Sequence, residues 1–379
     1  MISNIQALRA FAAAAVVFYH TDFHFNGDTH TEFQGVAIFF VISGFIMTYI
    51  TRSKSDGFIW DRITRIVPLY WLMTIALIVI GWTVSALALT VRNLTGTDEV
   101  HYCVLCHVPA WFDSSNLTML AKSLFFVPYA GPSAIVQPLL AVGWTLNLEM
   151  FFYIVFAISL AISVIYAPFL VCGVLLGIKL AAYLFWPAGA APLLVEFYAQ
   201  PYTTYFILGI VCYYAWQQFS RLKLSPRGEL AAAGTISIIL LCFFVFETGF
   251  IFRSDTSPMV NSGLLLALPP LVVLSALVGH SIGLTVTSSL VIALGNASYA
   301  LYLLHTIVIE FLRLFWRRYP AFDPKFSVIA MAVILIGCIG ISLIVYRFVE
   351  VPMIAAIRNS RRLSPARRRR SADGSAVGG

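Results

Sequence analysis

The amino-acid sequence predicts an all-α fold, a polytopic transmembrane bundle of about ten helices. Of the 379 residues, 60% are hydrophobic and 11% are charged, whereas soluble domains carry about 25% charged residues. Runs of about 20 apolar residues, the length that crosses a bilayer, recur between Gly, Pro and charged clusters. Because so few charges cannot cover a soluble surface, we predict one membrane domain, 1–352, followed by a tail, 353–379.

Hydropathy places the ten predicted spans. The spans lie near residues 5–21, 33–51, 67–89, 143–163, 167–186, 203–218, 230–250, 261–279, 297–315 and 326–348. Between the third and fourth spans, the stretch "LTMLAKSLFFVPYAGPSAIVQPLL" is apolar but broken by prolines. We predict that it forms a re-entrant or surface-lying element over a cavity.

The Lys and Arg residues of short loops predict the orientation. Basic residues follow the second and sixth spans and fill the tail: Arg52, Lys54, Arg62, Arg65, Arg221, Lys223, Arg227 and "RNSRRLSPARRRR". The loops after the second and sixth spans and the tail after the tenth all lie on one side of the membrane, and we predict that this side is cytoplasmic. Because the number of spans is even, both termini lie on that side. The loop after the ninth span, with Arg317, Arg318 and Lys325, argues against this orientation. The composition of the tail predicts disorder, with arginines lying against anionic lipid headgroups.

The six cysteines do not form a disulfide framework. Four lie in apolar runs, and the other two, Cys103 and Cys106, lie in "HYCVLCH". A local disulfide, a metal clip or an incidental pair in a loop all fit this spacing. No other feature of the sequence supports a metal, so we expect no metal site.

The first span contains both a guanidinium and an imidazole. Arg9 and His20 are eleven residues apart, which is about three helical turns and about 16 Å along one helix face. Ionisable groups in a span are expensive and mark function by default. The alternative is that Arg9 reaches the headgroups and His20 makes a contact within the bundle.

The second span and the segment after it hold further candidates. Ser43 lies beside Gly44 in "FFVISGFIM", where small residues permit close helix packing. No Gly-x-Ser-x-Gly elbow surrounds Ser43, so packing is favoured over a nucleophile. Arg62 and Arg65 are three residues apart in "DRITRIVPLYW" and would form a fork for phosphate, although the positive-inside rule also explains them.

Polar stripes open the fourth and ninth spans. "GWTLNLEMFFY" contains Asn147, Glu149 and Tyr153, and the last two share a helix face. A carboxylate in a span needs a partner, and His20 is a candidate. "GNASYALYLLH" places Asn296, Tyr299, Tyr302 and His305 at intervals of three. Aromatic belts explain the tyrosines but not His305.

Six segments together resemble the acyltransferase-3 family of integral-membrane O-acyltransferases. In order, they are "NIQALRAFAAAAVVFYH", "GVAIFFVISGFIM", "DRITRIVPLYW", "WTLNLEMFFY", "GNASYALYLLH" and "YRFVEVP", between Asn4 and Pro352. In sequence, these segments are most similar to the ExoZ-type branch of the family, which is associated with acetylating bacterial exopolysaccharide. The resemblance implies about ten core helices in the bacterial inner membrane. It also implies transfer of an acyl group from cytoplasmic acyl-CoA, usually acetyl-CoA, to a saccharide hydroxyl at the outer face.

The resemblance also implies roles for residues. The Arg-x10-His element of the family falls on Arg9 and His20, its basic pair on Arg62 and Arg65, and its acidic residue on Glu149. Thr145 replaces a more frequent Ser and keeps the hydroxyl.

On that basis we predict that the three arginines hold the phosphates of CoA and that His20 acts as general base or, less favoured, becomes acylated. Glu149 would orient His20, and His305 and Tyr302 would stabilise the oxyanion or line the acceptor path. Ser43, Asn147, Tyr153 and Tyr299 would line the substrate path.

Two other functions fit a polar stripe inside a bundle. A transporter or flippase for a lipid-linked saccharide would use it as a conduit, but we find no inverted repeat of the kind common in transporters. A structural subunit of an export complex has no use for the ordered motifs. The expected partners are acyl-CoA, a saccharide or lipid-linked saccharide, and membrane lipid. The basic residues flank spans, so no nucleic acid is expected.

Overall fold

The fold is described from a computed structural model of the chain. The structure describes residues 2–21, 24–25, 29–30, 34–52, 57–95, 116–131, 135–187, 189–247, 258–318, 323 and 327–362. These residues are helical apart from connecting segments, one isolated bridge and a two-residue antiparallel pairing of β1 (His24–Phe25) with β2 (Thr29–His30). The predicted all-α class is confirmed.

The described residues form fourteen α-helices. They are α1 (Ser3–His20), α2 (Gly35–Thr51), α3 (Phe58–Thr95), α4 (Asn116–Leu124), α5 (Gly143–Ile162), α6 (Ala167–Phe185), α7 (Leu193–Ala199), α8 (Thr203–Phe219), α9 (Pro226–Glu247), α10 (Pro258–Ser281), α11 (Ser289–Asn296), α12 (Ser298–Arg318), α13 (Val328–Val345) and α14 (Val351–Arg362). A π-helical turn, Tyr346–Glu350, joins α13 to α14.

Each predicted span coincides with a helix or a helix pair, but not every helix is long and apolar enough to cross a bilayer alone. Among the described residues, six stretches pass that test: α3, α5, α6, α9, α10 and the run from α13 into α14. The pair α11 and α12, bent by 68°, makes a seventh if it counts as one span. The apolar α2 has 17 residues and falls short. The predicted count of ten is therefore approximate.

Close backbone contact joins α2 to α8 at two glycines. A Cβ atom on Gly44 would collide with the carbonyl oxygen of Phe206, and one on Gly209 would collide with that of Val41. Small residues let helices approach this closely in a membrane, where packing rather than the hydrophobic effect holds helices together. The arrangement fixes α2, which lines the candidate site.

Between α3 and α5, the described residues 116–131 and 135–142 contact α3, and α4, with nine residues, is too short to cross a bilayer. Tyr70 Oη of α3 donates to the carbonyl oxygen of Ser123, in the last turn of α4, at 3.1 Å. Ser123 Oγ lies 2.9 Å from Tyr129 Oη, and both side chains are buried. Cys103 and Cys106 lie outside the described residues.

The chain beyond the last span begins as a helix. The π turn continues into α14 as far as Arg362, so residues 353–362 of the predicted tail are helical, and disorder of the remainder stays a prediction. Arg358 Nη2 lies 3.6 Å from Asp61 Oδ1 and ties α14 to the first turn of α3. Residues 363–379 lie outside the described part of the chain.

Candidate active site

Five helices enclose a cavity of about 90 Å³ in the bundle. Eight of the predicted site residues line it: Arg9, Ser43, Arg62, Arg65, Glu149, Tyr153, Tyr299 and Tyr302. They come from α1, α2, α3, α5 and α12, so residues nearly 300 positions apart in the chain meet at one place. Apolar side chains of α2 complete the wall.

Three guanidiniums dominate the charge of the cavity. Arg9 of α1 is buried, and it interacts electrostatically with Arg65 of α3, which repels it, and with Glu149. Arg62 and Arg65 are one helical turn apart on α3 and both reach the cavity. Three positive charges facing one small space attract a polyanion and in particular favour phosphate groups.

Glu149 is held by two hydroxyl donors. Ser43 Oγ of α2 donates to Glu149 Oε1 at 2.7 Å, and Tyr153 Oη donates to the same oxygen. Tyr153 follows Glu149 by four residues, the spacing that places both on one face of α5. With two donors on one oxygen, the carboxylate has a fixed orientation.

The break between α11 and α12 points the start of α12 at the cavity. Ala297 separates the two helices, which meet at 68°. Ser298, the first residue of α12, lines the cavity, and its fully buried Oγ has no hydrogen-bond partner among the described residues. The first backbone N–H groups of a helix attract anions, so the start of α12 adds to the field of the arginines.

The two predicted catalytic histidines lie against each other. The ring centroids of His20 and His305 are 4.9 Å apart. His305 is fully buried, and its Nδ1 lies 3.2 Å from the carbonyl oxygen of Leu301. Because a carbonyl oxygen only accepts, this bond requires the proton on Nδ1, which leaves Nε2 with a free lone pair in the neutral ring. His305 Nε2 is buried without a hydrogen-bond partner in the described part of the chain.

Tyr302 connects the histidine pair to the cavity. It lines the cavity, and its ring centroid is 5.8 Å from that of His305. Its hydroxyl lies 2.8 Å from Thr145 Oγ1 and donates to the carbonyl oxygen of Val142 at 3.1 Å. One turn earlier, Tyr299 Oη donates to the carbonyl oxygen of Ile66 at 2.8 Å and fixes α12 against α3.

Three predicted site residues do not line the cavity: His20, His305 and Asn147. Asn147 is buried on α5, and its Oδ1 has no hydrogen-bond partner among the described residues. Glu149 contacts Ser43 and Tyr153, so its pairing with His20 stays a prediction. No group of three or more His, Cys, Asp or Glu residues suited to a metal occurs in the ranges that the structure describes.

Sequence reasoning missed two buried polar residues, Ser298 and Glu350. The local sequence does not distinguish Ser298 as a site residue, because it is one of several small residues before Tyr299. Glu350, in the π turn, is 2% exposed, and its Oε2 has no hydrogen-bond partner among the described residues. A lone carboxylate in the last apolar run was the signal that could have identified it, since such a group marks function by default.

Fold and site together define an integral-membrane protein with an anion-attracting cavity beside a pair of histidines, one of which, His305, is fully buried. The chain belongs to the acyltransferase-3 family, whose profile, described as an acyltransferase domain, matches residues 2–347.

Two relatives illustrate the membership. The exopolysaccharide production protein ExoZ of Rhizobium meliloti is 33% identical over 282 residues, which cover 73% of this chain and 76% of ExoZ. The peptidoglycan O-acetyltransferase OatA of Listeria monocytogenes is 25% identical over 338 residues, which cover 81% of this chain and 49% of OatA. The chain thus matches about half the length of OatA. No solved structure gives a significant match. The family and its relatives identify a membrane O-acetyltransferase.

Proposed function

We propose that the protein transfers an acyl group, acetyl in the first instance, from cytoplasmic acyl-CoA to a hydroxyl of a saccharide at the outer face of the bacterial inner membrane. The acceptor is exopolysaccharide or its lipid-linked precursor, the class that the name of ExoZ suggests. The observation that carries the proposal is the continuity of the site. A cavity lined by three arginines is joined through Tyr302 to the pair of His20 and His305.

The three arginines of the cavity would bind the acyl donor. CoA is a polyanion, and Arg9, Arg62 and Arg65 with the start of α12 supply the charge that attracts phosphate. At about 90 Å³, the cavity is smaller than the roughly 300–1,000 Å³ of pockets that enclose whole ligands. Only part of the donor enters it, and the remainder lies outside.

The histidine pair accounts for the chemistry. The acceptor oxygen attacks the thioester carbonyl carbon, the carbon–sulfur bond breaks, and the acyl group stays on the acceptor. The hydroxyl proton passes to an imidazole and from it to the CoA thiolate. His20 is the base, because imidazole has a pKa suited to such transfers. His305, whose Nε2 lone pair has no partner among the described residues, stands beside it.

The orientation follows from the two ends of the site. Arg9 and His20 are about 16 Å apart along α1 at about 1.5 Å per residue. The arginine end faces the cytoplasm, where acyl-CoA and the basic loops lie, and the histidine end faces the acceptor. Both termini are then cytoplasmic, and the apolar helix faces contact membrane lipid.

The test is the O-acetyl content of the cell-surface polysaccharide in cells with the wild type, His20→Ala or His280→Ala at matched membrane levels. His280 lies in the last turn of α10, outside the site, and is the control. Acetyl present with the wild type and the control but lost with His20→Ala supports the proposal. If acetylation persists with His20→Ala, then His20 is not the general base. A wild type that adds no acyl group but changes polymer export overturns the enzyme and favours a transporter.

A further inference from the structure

Ser298 carries a buried hydroxyl in the wall of the arginine cavity. Its side chain is 0% exposed, and it lines the cavity together with Arg9 and Arg65. Its Oγ has no hydrogen-bond partner in the part of the chain that the structure describes. A buried hydroxyl without a partner costs free energy and is uncommon in folded proteins. Because Ser298 lines the cavity, a ligand in the cavity can supply the missing partner.

Other serines at helix starts in this protein use their hydroxyls within the helix. The Oγ atoms of Ser288, before α11, and Ser327, before α13, each accept from the N–H three residues further on, at 3.5 Å and 3.2 Å. Such bonds cap the first turn of a helix. Ser298 is the first residue of α12, and its Oγ makes no bond of this kind. Its hydroxyl therefore stays available to the cavity.

The start of α12 adds backbone N–H groups to this hydroxyl. The bend of 68° between α11 and α12 interrupts the helical hydrogen bonds and begins a new helix at Ser298. The N–H of Leu301 bonds to the carbonyl oxygen of Ala297 at 3.0 Å, and the N–H groups before it have no partner within their own helix. A helix N-terminus with a free hydroxyl is suited to bind phosphate oxygens.

Two contacts hold this helix start beside the arginines. A Cβ atom on Gly295 of α11 would collide with the carbonyl oxygen of Gln6, so α11 lies directly against α1 at one turn from Arg9. On the other side, Tyr299 Oη donates to the carbonyl oxygen of Ile66 at 2.8 Å. Ile66 directly follows one of the two cavity arginines of α3. The hydroxyl and the guanidiniums are therefore held around one space.

The position of Ser298 along α12 favours a phosphate over the reacting thioester. Ser298 precedes His305 by seven residues, which is about two turns and about 10 Å along the helix axis. The proposed reaction takes place at the histidine pair, so Ser298 belongs to the arginine end of the site. At that end the donor presents its phosphates.

We propose that the Ser298 hydroxyl and the first N–H groups of α12 bind the diphosphate of the acyl donor beside the cavity arginines. The inference rests on the proposed function, in which acyl-CoA is the donor. The hydroxyl donates to a phosphate oxygen, while the guanidiniums supply the charge. The diphosphate is joined directly to the pantetheine arm and enters the cavity with it. The 3′-phosphate stays with the adenosine outside.

The test is binding of CoA and of dephospho-CoA to purified protein in nanodiscs, with Ser298→Ala as the variant that lacks the hydroxyl. Dephospho-CoA keeps the diphosphate and lacks the 3′-phosphate. We expect the Kd to rise roughly tenfold for both ligands, the effect of one lost hydrogen bond to a charged group. The thermal midpoint of the ligand-free variant should equal or exceed that of the wild type, because the lost hydroxyl has no partner among the described residues.

Ser342→Ala is the matched control. Ser342 is also 0% exposed, but its Oγ donates to the carbonyl oxygen of Ile339 at 2.7 Å, and it does not line the cavity. This control should bind both ligands as the wild type does. Should Ser298→Ala fail to reach the membrane, Ser298→Gly is the second variant without the hydroxyl, with the same weakening expected.

The outcomes separate this inference from the proposed function. If the wild type binds CoA and the variants without the hydroxyl bind it equally well, this inference alone is overturned. Weakening confined to CoA would assign Ser298 to the 3′-phosphate, and weakening with a lower ligand-free midpoint would make Ser298 structural; either result overturns the diphosphate subsite. A wild type that binds neither ligand overturns the donor of the proposed function and this inference with it.

Discussion

Ser43 Oγ donates a 2.7 Å hydrogen bond to Glu149 Oε1 across the interface of α2 and α5. Other hydroxyls on helices of this protein bond instead to a carbonyl one turn back in their own helix, as Thr48, Thr74 and Ser237 do. The hydroxyl of Ser43 is thus committed to a carboxylate in the cavity. Packing alone, the role favoured by the sequence, does not account for that bond.

Ser43→Ala should lower acyltransfer without lowering the amount of folded protein. Glu149 would lose one of two donors, and a hydrogen bond to a charged group contributes about 1.5–3 kcal/mol. We expect kcat/KM for acyl-CoA to fall roughly tenfold, the lower end of that range. The measurement is steady-state kinetics in nanodiscs, with Ser237→Ala of α9 as the control. Equal rates for the two variants would show that the bond to Glu149 has no part in the reaction.

The double variant Arg62→Ala/Arg65→Ala should lose donor binding while still inserting in the membrane. Each guanidinium that contacts phosphate contributes about 1.5–3 kcal/mol, so we expect at least about a 100-fold increase in the Kd for CoA. The control is Arg52→Ala/Arg221→Ala, a second pair of basic residues with exposed side chains outside the cavity. If CoA binding is unchanged in Arg62→Ala/Arg65→Ala, these arginines do not hold the phosphates of CoA.

His305→Gln should separate chemistry from donor binding. The substitution removes the imidazole at the far side of Tyr302 from the arginines, and loss of a group that transfers protons lowers rates about 10²–10⁴-fold. We expect kcat to fall by about 100-fold with an unchanged KM for acyl-CoA. Kinetics of His305→Gln beside His280→Gln check this. A raised KM with normal kcat would place His305 in donor binding instead.

Periodicity in the sequence located much of this site. The spacing of Arg9 and His20 placed a charged group and an imidazole on one face of α1, and the structure has Arg9 in the cavity and His20 against His305. Likewise, the four-residue spacing of Glu149 and Tyr153 corresponds to a hydrogen bond. Local helical geometry is sufficient for both.

Contacts between segments that are distant in the chain could not be predicted from helical periodicity. Ser43 and Glu149 are 106 residues apart, and no property of either segment alone specifies how their helices pack. The burial of Glu350 was hidden for another reason. A π turn changes the number of residues per turn, so a fixed period of about 3.6 assigns position 350 to the wrong face. The bend at Ala297, which brings Ser298 to the cavity, has no clear signature in the local sequence either.

The close approach of α2 and α8 gives a prediction about stability. Gly44→Val should destabilise the protein by about 1–3 kcal/mol, because the added atoms would collide with the backbone carbonyl of Phe206, which cannot turn aside. Gly234→Val of α9 is the control, since no atom lies within 4 Å of a Cβ at that position. Thermal unfolding in detergent, followed by the loss of monodisperse protein, should give a lower midpoint for Gly44→Val than for Gly234→Val. Because α2 also carries Ser43, the Gly44 variant should lose activity at temperatures where the control remains active. Equal midpoints would show that the two helices have room to separate and that Gly44 is not required for their contact.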